Sequence, residues 1–227
     1  GAAAGAREDG GACPGRADDY ALKLAVLRRA EVVCATTTAS GSELLSQLKF
    51  RAILVDEVAQ ATELSVAVPI ILRRCTQLVL VGDQCQLPPT VASFEAQGRG
   101  LSLSLFSRLV GQGLKPFFLN TQFRMHPTIA AFSAHAFYNG ELHSGIAPEE
   151  RPPPQGFDWP SGSNVAFVDV ADGWEVREGE SFGNAREAEV VCDVLADVLA
   201  CGELSALEVG VVTPYSAQVR WLRQQLR

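Results

Sequence analysis

Residues 53–60 read ILVDEVAQ, an apolar run closed by two adjacent acids with a glutamine three residues further on. A short, almost wholly apolar stretch is how a strand buried on both faces reads. Working outward, five more such runs occur: 31–36 (EVVCAT), 77–82 (QLVLVG), 116–121 (PFFLNT), 164–170 (NVAFVDV) and 208–213 (EVGVVT), alongside 51–56 itself. Between and around them lie helical patterns at 18–30, 62–72, 101–111, 127–137, 185–201 and 216–226. Alternating strands and helices predict an α/β fold with parallel sheets. In such sheets ligands gather beyond the carboxyl ends of strands, so the polar residues after each apolar run are the candidates for chemistry.

Three of these strand ends carry polar groups of the right types. After the first, Asp56 is suited to hold Mg²⁺ through water, Glu57 to orient and deprotonate an attacking water, and Gln60 to sense a terminal phosphate. Acids there would also serve simply as caps of the next helix. The second run, LVLVGDQCQLPPT (78–90), ends in Gly82, which lets the backbone pass close to a neighbour. Its Gln86 can report a phosphate without burying a charge, although a decorated β-turn accounts for the same residues. The third, LNTQFRMHP (119–127), sets Gln122, Phe123, Arg124 and His126 before a proline that opens a helix. Arg124 suits transition-state phosphate charge and Phe123 a flat base. The alternative is an Arg124 paired to a local acid and a Phe123 in the core. His126 reads as structural.

The remaining composition bounds the classes. The 227 residues carry a net charge of −7, are 47% hydrophobic and hold six isolated cysteines with no CxxC pair. A zinc site or a disulfide framework is therefore not expected, and reduced cysteines fit an intracellular protein, cytoplasmic or nuclear. No run is long enough to span a membrane. The acidic balance argues against a nucleic-acid coat protein but not against a motor with a local strand-binding cleft. Residues 1–17, rich in glycine and alanine, read as disordered, and proline-rich 147–163 as a surface loop. The chain starts without methionine and stops in a helical run, so both ends read as cut.

Taken in order and spacing, the three runs resemble the Up-frameshift-like group of superfamily-one helicases, which includes the helicase of nonsense-mediated mRNA decay and its senataxin-like relatives. Shorter matches extend the resemblance from about residue 18 to 227: AEVVCATTTASGSELL (30–45), SFGNAREAEVV (181–191) and VGVVTPYSAQVRWLRQQL (209–226) among them. The resemblance implies two RecA-like P-loop NTPase domains, here the C-terminal part of the first (18–113) and the N-terminal part of the second (114–227). It implies ATP and Mg²⁺ as cofactors, single-stranded RNA or DNA as partner, RNA-decay proteins as further partners, and a monomer. It implies that Asp56 and Glu57 are the metal and water-activating acids and that Gln60 and Gln86 face the terminal phosphate. Arg124 becomes an arginine finger, with Gln122, Phe123 and Glu187 around the nucleotide and Thr213, Pro214 and Tyr215 on the nucleic-acid backbone. Asn184 and Glu187 fit an NxxE pattern, and equally a helix start with an asparagine N-cap. Two departures stand out: no GxxxxGK[ST] loop occurs, and no Gln-Gly-Arg-Glu run. Truncation is the expected cause, and a non-catalytic RNA- or protein-binding relative is the alternative.

Overall fold

The chain is described from a computed structural model, which covers residues 14–226. The expected disorder of residues 1–17 falls outside the described residues as far as residue 13, whereas a helix begins at Pro14. The chain divides into two compact units between Phe117 and Phe118. Each is described by itself.

In the first unit, α1 (Pro14–Arg29) and a short α2 (Glu43–Ser46) precede β1 (Ala52–Val55), α3 (Glu63–Arg73) and β2 (Gln77–Leu80). β1 and β2 pair in parallel, Ala52 opposite Gln77 through Val55 opposite Leu80, so β1-α3-β2 is a βαβ unit. Local sequence explains α3. Thr62 caps it by accepting from the Ser65 N–H (3.3 Å), and Glu63 places an acid in the first turn, where the helix dipole favours it. Arg74 ends it in the left-handed region at φ 51°. Val66 of α3 is fully buried against Val55 and Val58, with Ile53, Ile70, Leu80, Leu105 and Phe106 packed around them. This core lies directly beneath the turn that carries Asp56 and Glu57. Two further helices follow, α4 (Phe94–Gly98) and α5 (Leu105–Gly111).

The Arg108 guanidinium of α5 forms a two-pronged ion pair with Glu63, its Nε lying 2.7 Å from Oε2. Hydrogen bonding and charge from Arg108 hold the Glu63 carboxyl below its ordinary 4.5, against a smaller opposing effect of burial. Because the folded-state pKa is depressed, the pair's contribution is present above pH 4.5 and is lost as pH falls through the folded value. Both side chains are over a third exposed, so solvent screens the effect. Urea unfolding of Glu63→Gln should therefore give a modestly lower midpoint at neutral pH and a shallower decline in acid. A variant curve parallel to wild type throughout would remove the pair from the stability balance.

In the second unit, β3 (Thr121–Gln122) pairs in parallel with β4 (His143–Ser144), and α6 (Pro127–Tyr138) connects them. A hairpin of β5 (Val176–Glu178) and β6 (Ser181–Gly183) leads into α7 (Ala185–Ala200), and α8 (Ser216–Gln225) packs against both. Ala188, Val198, Ala217 and Leu222 are buried between these elements.

All five helices expected beyond α1 form, and residues 147–163 are a loop apart from one short helical turn. The strands depart from expectation. Segments 31–36, 164–170 and 208–213 are not strands, and 116–121 shrinks to a two-residue β3 starting at Thr121. The first three have β-forming residues but no hydrogen-bonded ladder among the described residues, and a strand exists only with a partner. Val32, Phe167 and Val212 are correspondingly exposed. Nor are the strands buried on both faces: Leu54, Leu78 and Val79 are exposed, because two strands alone give the sheet no second covering layer. The β5–β6 hairpin was not expected, since VREGESFG alternates charge rather than hydrophobicity; Gly179, at φ +63°, supplies its turn.

Candidate functional site

The turn after β1 is built from both ends. Val55 accepts from the Val81 N–H (2.8 Å), and the Val58 N–H donates to the Val81 carbonyl (3.0 Å), so the segment after β2 is stitched to the turn after β1. Gly82 is needed there, because a Cβ would stand 2.9 Å from the Ala59 nitrogen and from Val58 Cγ1. Between these anchors Glu57 takes a left-handed conformation, φ 52° and ψ 35°. That conformation is costly for a residue with a side chain and persists where surrounding structure over-determines it, often at functional sites. The Asp56 carboxylate accepts from the Glu57 N–H (3.0 Å), and the Gln60 amide donates to Glu57 Oε2 (3.1 Å). Asp56, Glu57 and Gln60 thus form one exposed cluster on a rigid base. Neither acid caps α3, the role being taken by Thr62.

Gln86 belongs to the neighbouring turn. Its amide donates to Asp83 Oδ2 (2.9 Å), while Asp83 Oδ1 accepts from the Cys85 N–H (2.9 Å). Burial, and secondarily the charge of Asp83, push the Cys85 thiol above its usual range, so it stays protonated at neutral pH.

In the second unit Gln122 organises the turn after β3. Its carbonyl oxygen accepts from the Arg124 and Met125 N–H groups (2.9 and 2.7 Å), and its amide donates to the Met125 carbonyl and the Ser144 hydroxyl, both at 2.8 Å. Gln122 therefore shapes the loop that presents Arg124. Arg124 is exposed, and among the described residues no acid lies within ion-pair distance of its guanidinium. Phe123 is 64% exposed rather than core, its ring lying over Gly145, where a Cβ would stand 2.1 Å from it. His126 is structural: its Nδ1 accepts from the Thr128 N–H (3.1 Å) and caps α6.

Asn184 is likewise a cap, accepting from the Glu187 N–H (3.2 Å), and it sets exposed Glu187 on the first turn of α7. Thr213 is half-buried, and its hydroxyl accepts from the Tyr215 N–H (3.4 Å). Tyr215 packs edge-on against Phe182, ring centroids 5.8 Å apart. Pro214, Tyr215, Ser216 and Arg220 border an open concavity of about 370 Å³ together with Glu178, Glu180 and Ser181. Sequence reading missed the residues that fasten this region, Glu178, Ser181 and Gln218. Their partners are 34 to 43 positions away, and no local pattern marks them.

The chain is similar to known proteins over most of its length. Two family models, each described as an AAA domain, match residues 14–94 and 101–227. The Drosophila melanogaster Regulator of nonsense transcripts 1 homolog is 40% identical over 204 residues, 89% of this chain and 17% of the relative. The ATP-dependent helicase upf1 of Schizosaccharomyces pombe is 34% identical over 89% of this chain and 22% of the relative. The 5'-3' DNA helicase ZGRF1 of Mus musculus is 37% identical over 86% of this chain and 10% of the relative. The chain thus spans less than a quarter of the length of these relatives. By these matches, and with the helices and small parallel sheets of an α/β fold, the chain belongs to the AAA-domain P-loop NTPases, in their Up-frameshift-like superfamily-one branch.

Proposed function

We propose that this chain carries parts of the hydrolytic and strand-binding machinery of an ATP-dependent helicase acting on single-stranded nucleic acid, RNA or DNA, within two RecA-like domains (18–113 and 114–227). The observation that carries the reading is Glu57, held in a left-handed conformation at the tip of β1 with Asp56 and Gln60 bonded around it. Mg²⁺ that arrives with a nucleotide asks for one or two carboxylates, with waters and phosphates completing its shell. Exposed Asp56 at a strand end fits that demand. Bound there, the ion would neutralise charge on the phosphates; Glu57 would orient and deprotonate the attacking water, and Gln60 would hold the Glu57 carboxylate in place.

On this reading Gln86 would face the phosphates from the first unit; in the second, Arg124 would meet the phosphates, Phe123 the base and Glu187 the nucleotide, with Gln122 shaping the loop that presents Arg124. Retention of Asp56, Glu57 and Arg124 argues for an enzyme over a binding-only relative. The 227 residues contain no GxxxxGK[ST] loop, so the β/γ-phosphate cradle would come from residues outside them. Thr213, Pro214 and Tyr215 would grip the strand backbone, which carries little base information. The relatives' names point to transcripts in one case and to DNA in another. Isolated cysteines suit a cytoplasmic or nuclear protein, and RNA-decay proteins are the partners to test first, with a monomer as the expected state.

The test is the ATPase rate of the full-length protein with and without a 12-nucleotide oligouridylate or its deoxy counterpart. Stimulation by at least one is expected. Thr213→Ala should lower single-strand affinity and weaken stimulation while leaving the unstimulated rate near wild type. Equal stimulation of a folded variant would take Thr213 out of the strand path.

A further inference from the structure

The helix that follows Thr213–Tyr215 is tied to the start of α7 by an unusual contact. Gln218, buried in α8, accepts from the Asn184 N–H (2.7 Å) and donates to the Asn184 carbonyl (3.1 Å). One side-chain amide thus mimics a strand partner for the backbone of a residue 34 positions earlier. Asn184 is itself buried, and its own side chain accepts from the Glu187 N–H. The same helix is held at two neighbouring points. The Ser181 hydroxyl accepts from the Ala217 N–H (3.1 Å), and Glu178 accepts from Arg220 (2.9 Å) and Trp221 (2.8 Å). Gly183 leaves room for the Trp221 ring, since a Cβ would stand 2.8 Å from it.

These contacts differ in kind. The Glu178 bonds lie at the surface, where solvent competes. The Gln218–Asn184 pair is buried, so its loss strands the Asn184 N–H away from water, while the Asn184 carbonyl keeps its bond from the Ala188 N–H (3.1 Å). Among these ties of α8 it is the one made to Asn184, the residue that sets Glu187.

We infer that Gln218 is a positioning residue: it makes the Thr213–Tyr215 segment and the first turn of α7 respond as one body, so that a strand gripped at the former resets Glu187 on the latter. This rests on the proposed strand contact at Thr213–Tyr215. Stimulation of a nucleotide-driven cycle by a bound strand needs such a connection. Here a two-bond amide clamp provides it inside one unit, without passing through the sheet.

Hydrogen exchange on the full-length protein, with and without a 12-nucleotide oligouridylate, reads this directly. In wild type, RNA should slow exchange at residues 213–219 and also at 184–188. Gln218→Met keeps the length and apolar bulk of the side chain and removes both bonds. It should retain RNA protection at 213–219 but lose it at 184–188, where exchange runs about tenfold faster, the loss of one ordinary buried hydrogen bond. Glu178→Gln weakens only the surface ties and should keep both protections. The inference is overturned if folded Gln218→Met still transmits protection to 184–188, or if wild type protects 213–219 alone. If neither RNA nor its deoxy counterpart protects either segment in wild type, the strand-binding reading fails and takes the inference with it. Should Gln218→Met not fold, Gln218→Leu, which likewise removes both bonds, replaces it, and a folded protein with undiminished protection at 184–188 overturns the inference in the same way.

Discussion

Glu57→Gln in the full-length protein is expected to leave ATP binding close to wild type and to cut turnover by roughly 10²–10⁴-fold, the usual worth of a positioned general base. The substitution keeps the shape of the side chain and an oxygen that can still accept from Gln60, whose amide lies 3.1 Å from Glu57 Oε2. It removes the basic site and one negative charge beside Asp56. The β1 tip should be undisturbed, because its anchors are main-chain bonds from Val58 and Val81. Nucleotide affinity and steady-state turnover, measured on the same preparation, separate the two effects. Turnover within about threefold of wild type would assign the water to another group, since an effective base contributes far more than that. The 227 residues expressed alone should show no rate above background, because they contain no phosphate-cradling loop.

Arg124→Ala should act on the transition state rather than on binding. In phosphoryl transfer an arginine supplied to the developing charge contributes ~10³–10⁵ in kcat. Arg124 has the required presentation: an exposed guanidinium without an acidic partner among the described residues, on a turn fastened by four bonds to the Gln122 amide. The expected signature is a large fall in kcat with a small change in KM. Arg124→Lys should recover little, since an ammonium cannot reproduce the planar fork. A change confined to KM would reduce Arg124 to a nucleotide-binding contact. No change at all would make it an ordinary surface residue.

The candidate site was legible in the sequence wherever its chemistry is written in neighbouring residues. Asp56, Glu57 and Gln60 lie within one turn, and Gln122 through Arg124 are consecutive, so strand-end position and residue type were enough to single them out. The Asn184 cap was legible for the same reason: Asn184 and Glu187 are three apart, and the structure makes that spacing a hydrogen bond. Sequence also foresaw the longer helices, whose bonds close within four residues, but not the short α2 and α4.

Tertiary structure decided what depends on distant partners. Segments 31–36, 164–170 and 208–213 have the composition of strands, but no ladder forms on them among the described residues, and composition cannot supply a neighbour. The left-handed setting of Glu57 is not written in its own residue type, which disfavours it; the packing of Val58 and Gly82 imposes it. Gln122 read as a ligand contact by position, and in space its amide is engaged in building the Arg124 turn. Gln218 had no local mark at all, because its partner is the backbone of Asn184, 34 residues away. The sequence by itself thus determined the family, the longer helices and which residues stand as candidates for the chemistry, since each is encoded over a few neighbouring residues. Which strands pair, which backbone is strained and which helices are locked together were decided only by the fold, because those depend on groups brought together from far along the chain.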